Sequence, residues 1–239
     1  MLKMETITKT YNHSSPSLTV LSDITVDVPD GDFVSIVGPS GSGKSTLLLM
    51  LGGMLSPSSG RVMLDGESLY DLEPDERAAI RRDKIGFVFQ TFNLVPYLSA
   101  VENVQVPLFL GGMSEADQRA RAASLLERLG LGDRLEHKPS QLSVGQQQRV
   151  ALARVLANDP AVILADEPTG SLDPETSSQA MAFLEQVNQE GRTVVMVTHD
   201  PRVARRAKRT LRLDGGRILS EKAGRAFVSA AQASSWQMA

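Results

Sequence analysis

The sequence predicts an α/β protein: a mostly parallel sheet, an antiparallel β layer beside it and an inserted helical segment. Three observations carry this. First, four strand-length runs are almost wholly apolar: "FVSIV" (Phe33 to Val37), "IGFVF" (Ile85 to Phe89), "AVILA" (Ala161 to Ala165) and "TVVMVT" (Thr193 to Thr198). Strands covered on both faces by helices have this character. Second, "TVLSDITVDV" before the first run and "GRVMLDGESL" after it alternate like half-exposed antiparallel strands, the latter turning at Asp65-Gly66. Third, the pattern between about Thr91 and Asn158 is helical.

Taken in order, each element has a local reason. "TLLLMLGGML" after Ser45 reads as a buried helix; its most apolar part, Leu47 to Leu55, is about half the length that spans a bilayer and is broken by two glycines. Ser114 to Asp117 forms a helix start, Ala122, Leu125, Leu126 and Leu129 one apolar face, and Gly130 the stop. "QLSVGQQQRVALARVL" (Gln141 to Leu156) opens a helix in which Ser143 and Gln146 have capping-box spacing; it is expected to end near Pro160. "RVARRAKR" (Arg202 to Arg209) reads as a solvated helix face. Past Leu219 the pattern weakens, with Trp236 free to dock or stay loose. The expected organisation is a single domain: a core with its β layer from 1–90 and 159–220, a helical subdomain from 91–158 and a tail from 221–239.

Composition narrows the function classes. The 239 residues suffice for one large α/β domain, and a formal net charge of −3 gives no reason to expect nucleic acid as the main partner. With no cysteine, disulfides, thiol catalysis and thiolate metal sites are excluded. The N-terminus has no long apolar stretch or small-residue cleavage site, so a cytosolic location is expected, with any membrane span supplied by another chain.

The chemistry concentrates after the four apolar runs, which are followed by Gly38, Gln90, Asp166 with Glu167, and His199. Open α/β sheets bind ligands beyond the carboxyl ends of their strands, so one crevice collects all of these. "GPSGSGKST" (Gly38, Pro39, Ser40, Gly41, Ser42, Gly43, Lys44, Ser45, Thr46) matches the P-loop pattern in full, between a strand and a helix. Its backbone N–H groups cradle phosphate, Lys44 reaches the β- and γ-phosphates, and the Ser45 hydroxyl ligates Mg²⁺. "VILADEP" adds Asp166 for the Mg²⁺ shell and Glu167 to orient and deprotonate the attacking water. Such a pair alone is often just solvated acids; beside a P-loop it carries weight. Gln90 is an uncharged ligand for Mg²⁺ or the water, and His199 a γ-phosphate partner. Tyr11 is a candidate to stack on adenine, although strand aromatics more often pack. His13 and His137 read as surface residues. Asn-Lys-x-Asp, the usual mark of guanine selectivity, is absent.

Gly145 remains unexplained by capping, since a glycine in the first turn weakens the helix and adds nothing to the cap. Helix starts attract phosphate. "LSVGQQQRVALAR" resembles the signature of ATP-binding cassette (ABC) proteins, and the order P-loop, Gln90, signature, "VILADE", "SLD" (Ser171 to Asp173) and His199 is similar to that family across about residues 1 to 220. The resemblance implies a RecA-like P-loop NTPase core and Mg²⁺-dependent ATP hydrolysis. It also implies a head-to-tail pair of copies, in which Ser143, Gly145 and Gln146 of one touch the nucleotide held by the other and Asp173 bridges the interface. Val144 departs from the family, which has glycine there. "FQTFNLVPYLSAVENVQVPL", "HKPSQLSVGQQQR" and "ADEPTGSLD" are similar to the ATPase subunits of the lipoprotein-releasing and macrolide-exporting group (LolD and MacB). That similarity implies a peripheral place on the cytosolic face of the inner membrane, and a membrane partner whose coupling helix meets roughly Thr91 to Pro107. A regulatory subunit like the cell-division relative FtsE, moving no substrate, is the alternative. A soluble ABC ATPase acting on DNA or ribosomes is less well matched, because neither a coiled-coil insertion nor a second cassette is present.

Overall fold

The computed structural model describes residues 1–12, 17–170 and 172–223. The hairpin β1 (Leu2–Tyr11) and β2 (Leu18–Val28) leads to β3 (Phe33–Val37), helix α1 (Lys44–Leu51), the hairpin β4 (Ser59–Leu64) and β5 (Glu67–Ser68), α2 (Pro74–Lys84) and β6 (Ile85–Val88). Three helices follow: α3 (Ala100–Gln105), α4 (Glu115–Arg128) and α5 (Val144–Val155). The chain then returns through β7 (Val162–Asp166), α6 (Pro174–Gln189), β8 (Thr193–Thr198), the short α7 (Pro201–Ala204) and the hairpin β9 (Arg209–Asp214) and β10 (Arg217–Ala223). One sheet has the order β10-β9-β3-β8-β7-β6 and the other β2-β1-β4-β5. Strands β9, β3, β8, β7 and β6 run parallel, and β10 closes the edge antiparallel.

The continuous apolar runs are explained by two cores, one on each face of the large sheet. Phe33, Ile163, Ala165, Val194 and Met196 join α3, α4, α5 and α6 in one apolar cluster. Their neighbours Val34, Ile36, Val162, Leu164, Val195 and Val197 join α1 and the smaller sheet in the other. Residues 91–158 therefore share a core with the sheet they cover. Local signals act as expected at several points: Asp65 and Gly66 both take positive φ (54° and 85°) in the two-residue turn joining Leu64 to Glu67. Ser114 caps α4 by accepting from the Asp117 N–H, and Gly130 ends it at φ 70°.

Other expectations are corrected. Helix α5 stops at Val155, short of Pro160, because its last turn tightens: Leu156 and Ala157 donate to carbonyls three residues back. The basic cluster from Arg202 to Arg209 is not a solvated helix face. Only three of its residues, Arg202 to Ala204, are helical; Arg202 pairs with the helix's own N-cap Asp200, while acids from other elements reach Arg206 (Glu185) and Arg209, already in β9 (Asp32 and Glu221). Strand β10 continues to Ala223, past the point where the tail was expected to begin; Trp236, His13 and Ser171 lie outside the described residues. His137 is half-buried against Arg134. Among the described residues, no helix is long and apolar enough to cross a membrane.

Candidate functional site

The loop from Gly38 to Gly43 leaves the end of β3 and turns into α1 with backbone geometry that excludes side chains. Gly41 and Gly43 have φ of 79° and 98°, and a Cβ at Gly38 would stand 2.0 Å from the Leu213 carbonyl oxygen. Because Gly43 is the N-cap of α1, no side chain caps that helix, and its first N–H groups remain available to an anion. Lys44 is buried, and its ammonium folds back over the loop to donate to the Gly38 and Pro39 carbonyls at 2.8 and 3.0 Å. A third N–H is left over. The Ser42 hydroxyl is buried beside Gly38 without a hydrogen-bond partner. Pro39 and Ser40 are exposed at the rim and Thr46 is half-buried in the first turn.

Beside this loop, Ser45 donates to Asp166 at 3.1 Å, joining the start of α1 to the end of β7. Burial raises the Asp166 pKa; the Ser45 hydrogen bond opposes the rise, the neighbouring Glu167 adds to it and Lys44 opposes it. A carboxyl with a raised folded-state pKa contributes its stability below the unfolded value and loses it as pH climbs through the folded one. Asp166→Asn, which keeps an acceptor for Ser45, is therefore expected to raise Tm at pH 7 in metal-free buffer, with the gain disappearing in acid. An unchanged or lower Tm at pH 7 contradicts this.

Glu167 has φ 46°, a left-handed conformation costing about 1–3 kcal/mol in a side-chain-bearing residue. Two bonds hold it: its N–H donates to the Val197 carbonyl, and its own carbonyl accepts from Gly170, both at 3.0 Å. The turn aims the carboxylate at the end of β8, where Oε1 lies 2.9 Å from His199 Nδ1 and Oε2 accepts from the His199 N–H at 3.3 Å. His199 is exposed while the Glu167 side chain is mostly covered. Gln90, two residues beyond β6, is exposed and its amide lies against Gly170. Lys44, Ser45, Asp166, Glu167, His199 and Gln90 thus meet along the carboxyl ends of β3, β8, β7 and β6.

Other candidates stand apart. Tyr11 ends β1 opposite Leu18, with the Lys9 ammonium 5.1 Å from its ring centre. Lys9 pairs with Leu21, whose side chain backs Gly43, so Tyr11 is two residues farther along the same strand. Ser143 and Gln146 form the reciprocal capping box of α5, at 3.3 and 2.9 Å. A Cβ at Gly145 would meet only Thr176, at an ordinary 3.5 Å. Asp173 caps α6, accepting from the Glu175 and Thr176 N–H groups and from the Thr176 hydroxyl; the Thr176 hydroxyl bond, the largest cause, and these N–H groups hold its pKa down. Thr176 therefore stands between the turn at Asp173, to which it is hydrogen-bonded, and the turn at Gly145, a neighbourhood that no local sequence pattern announces. Also unforeseen is Arg154, half-buried at the end of α5, whose guanidinium donates to the Phe92 and Asn93 carbonyls.

Comparison with known proteins identifies the family. The family model described as "ABC transporter" matches residues 21–170. The ABC transporter ATP-binding protein MJ0796 of Methanocaldococcus jannaschii is 49% identical over 232 residues, covering 95% of this chain and 99% of that protein. The macrolide export ATP-binding/permease protein MacB of Brucella melitensis is 49% identical over 221 residues, covering 92% of this chain. This chain spans about a third (34%) of the length of that relative. A solved dimeric, post-hydrolysis state of the MJ0796 cassette, bound to ADP and Pi, superposes with a TM-score of 0.86 at 47% identity, over 95% of this chain and 100% of that one. By the family model and by these relatives, the chain belongs to the ABC transporter family.

Proposed function

We propose that the chain binds and hydrolyses ATP and that two copies, closing head to tail on the nucleotide, drive a membrane-embedded partner in export or mechanical work. The observation that carries this reading is the meeting of the uncapped glycine loop, the Ser45–Asp166 pair and the Glu167–His199 pair at one edge of the sheet. The triphosphate is held by the loop N–H groups and by Lys44, which exchanges its carbonyl acceptors for phosphate. Ser45 and Asp166 fit Mg²⁺: both offer hard oxygen, and a cation relieves the cost of a charge on half-buried Asp166. Gln90 is the third, uncharged donor. When bound, Mg²⁺ neutralises charge on the phosphate oxygens. Glu167 accepts the proton of the attacking water, while His199 fixes the carboxylate and presents its exposed ring to the phosphate.

The second copy enters through Gly145. Nothing within one chain requires glycine there, and a capped helix start without an anion of its own is suited to one supplied in trans. The solved MJ0796 cassettes are dimeric, one of them bound to ADP and Pi, which supports a two-copy assembly. Asp173 is bonded to Thr176, which neighbours Gly145, so the two turns present to the interface side by side. The membrane partner fits a cavity of about 380 Å³ lined by Phe87, Phe89, Asn93, Val106, Pro107 and Arg154. It adjoins the segment after Gln90, and Arg154 donates there to the Phe92 and Asn93 carbonyls, so a carboxylate on an entering helix is complementary. This assignment puts the chain on the cytosolic face of the membrane.

ATP turnover by the full chain at low concentration is expected to rise with the square of protein concentration and to vanish when EDTA removes Mg²⁺. Turnover first-order in protein down to the lowest concentrations would remove the two-copy reading, and turnover indifferent to EDTA the Mg²⁺ reading.

A further inference from the structure

Gly216 closes the β9–β10 turn at φ 73°, well over a hundred residues from the P-loop, and is wedged onto strand β2. Its carbonyl accepts from the Ser22 N–H at 2.8 Å, and a Cβ on it would stand 2.5 Å from the Val20 carbonyl oxygen. Val20 and Leu21 are in turn the wall behind Gly43. A Cβ on Gly43 would stand 2.7 Å from Leu21 Cδ2, 3.1 Å from the Val20 carbonyl oxygen and 3.2 Å from Val20 Cγ1. The other end of the loop meets the same hairpin directly, since Gly38 lies against the Leu213 carbonyl. The β9–β10 hairpin therefore touches both ends of the P-loop, at Gly38 in person and at Gly43 through β2. At Gly38 and Gly216 the nearest neighbour is a backbone carbonyl oxygen, and at Gly43 the Val20 carbonyl stands behind the Leu21 and Val20 side chains, so little slack is left to absorb a displacement.

We propose that Gly216 is a positioning residue for the nucleotide: by seating β2 against Gly43 it fixes the curvature of the P-loop, and with it the direction of the loop N–H groups. The proposal rests on the reading of Gly38 to Thr46 as the nucleotide cradle. Adding a methyl at Gly216 forces β2 or the hairpin to move by about an ångström, a misplacement large enough to alter a binding geometry. Gly215, the preceding residue, supplies the control. It also has positive φ (52°), but a Cβ on it would meet nothing within 4 Å, so alanine there strains the turn without pressing on β2.

The test is titration of the full chain with trinitrophenyl-ATP and Mg²⁺, followed by fluorescence, together with steady-state ATP turnover and Tm. Gly215→Ala and Gly216→Ala are both expected to lower Tm, Gly216→Ala by more because its Cβ also meets the Val20 carbonyl. Only Gly216→Ala is expected to raise Kd and KM, by about tenfold, the equivalent of one lost N–H bond to a charged group, with kcat at saturation within about twofold of the parent. Val20→Ala, which removes both γ-methyls including the Cγ1 behind Gly43, is expected to raise Kd about threefold and carries the test if Gly216→Ala does not fold. Parent-like Kd in Gly216→Ala and Val20→Ala, or an equal loss in Gly215→Ala, would overturn the proposal. Failure of the parent chain to bind the probe would instead remove the nucleotide reading, and this proposal with it.

Discussion

Glu167→Gln is expected to lower ATP turnover by about 10²–10⁴-fold, the usual contribution of a positioned general base, while leaving nucleotide binding intact. Binding survives because Lys44, Ser45 and Asp166 keep their contacts. The amide oxygen can still accept from His199 Nδ1, so the pair at the ends of β7 and β8 is retained in part. What is lost is the proton acceptor and the second bond, because the amide nitrogen cannot accept from the His199 N–H as Oε2 does. A nucleotide that favours the closed pair and is never consumed holds the equilibrium on that side. Rapid-quench turnover and equilibrium nucleotide binding separate the two effects. Parent-like turnover would move the base elsewhere; loss of binding would give Glu167 a structural role instead.

The second large effect is expected at Gly145. Gly145→Glu improves the isolated fold: an acidic residue in the first turn of α5 favours the helix dipole by about 0.3–1 kcal/mol, and removing glycine relieves its helix penalty of up to about 1 kcal/mol. The new Cβ meets Thr176 only at an ordinary contact distance. The same carboxylate placed against a triphosphate from another copy is repulsive. Tm is therefore expected to hold or rise while turnover falls by at least about 100-fold, an energy of about 2.7 kcal/mol, with nucleotide binding to the separate chain unchanged. Turnover near the parent value would mean that no phosphate approaches this helix start.

The large sheet was legible in the sequence because four buried strands left continuous apolar runs, and the P-loop because its glycines are dictated by local backbone geometry. The turn at Asp65-Gly66 and the caps at Ser114 and Ser143 were legible for the same local reason. Strands β9 and β10 were hidden in a stretch dense with arginine, since the acids that pair Arg206 and Arg209 come from elements distant in sequence. Helix α2 buries no residue and so leaves no apolar stripe. At the site, the residue types of Glu167 and His199 suggested their chemistry, but their mutual bond depends on a left-handed backbone at Glu167 that a glutamate does not advertise. Thr176, Val20 and Gly216 escaped because their roles lie in contacts across the fold; Gly216 looks like any other turn glycine until its missing Cβ is set against β2.

The central claim is that the P-loop of one copy is completed by the Gly145 turn of another, and the absence of cysteine makes it directly measurable. Ser40 and Val144 are both exposed, one on the P-loop and one on the first turn of α5. In the Glu167→Gln background, a chain carrying only Ser40→Cys is mixed with a chain carrying only Val144→Cys, and a short bismaleimide is added with and without ATP and Mg²⁺. The account predicts a covalent pair that joins the two different chains and forms only when ATP and Mg²⁺ are present. Cross-linking that ignores nucleotide, or chains that stay single at saturating ATP, would contradict it.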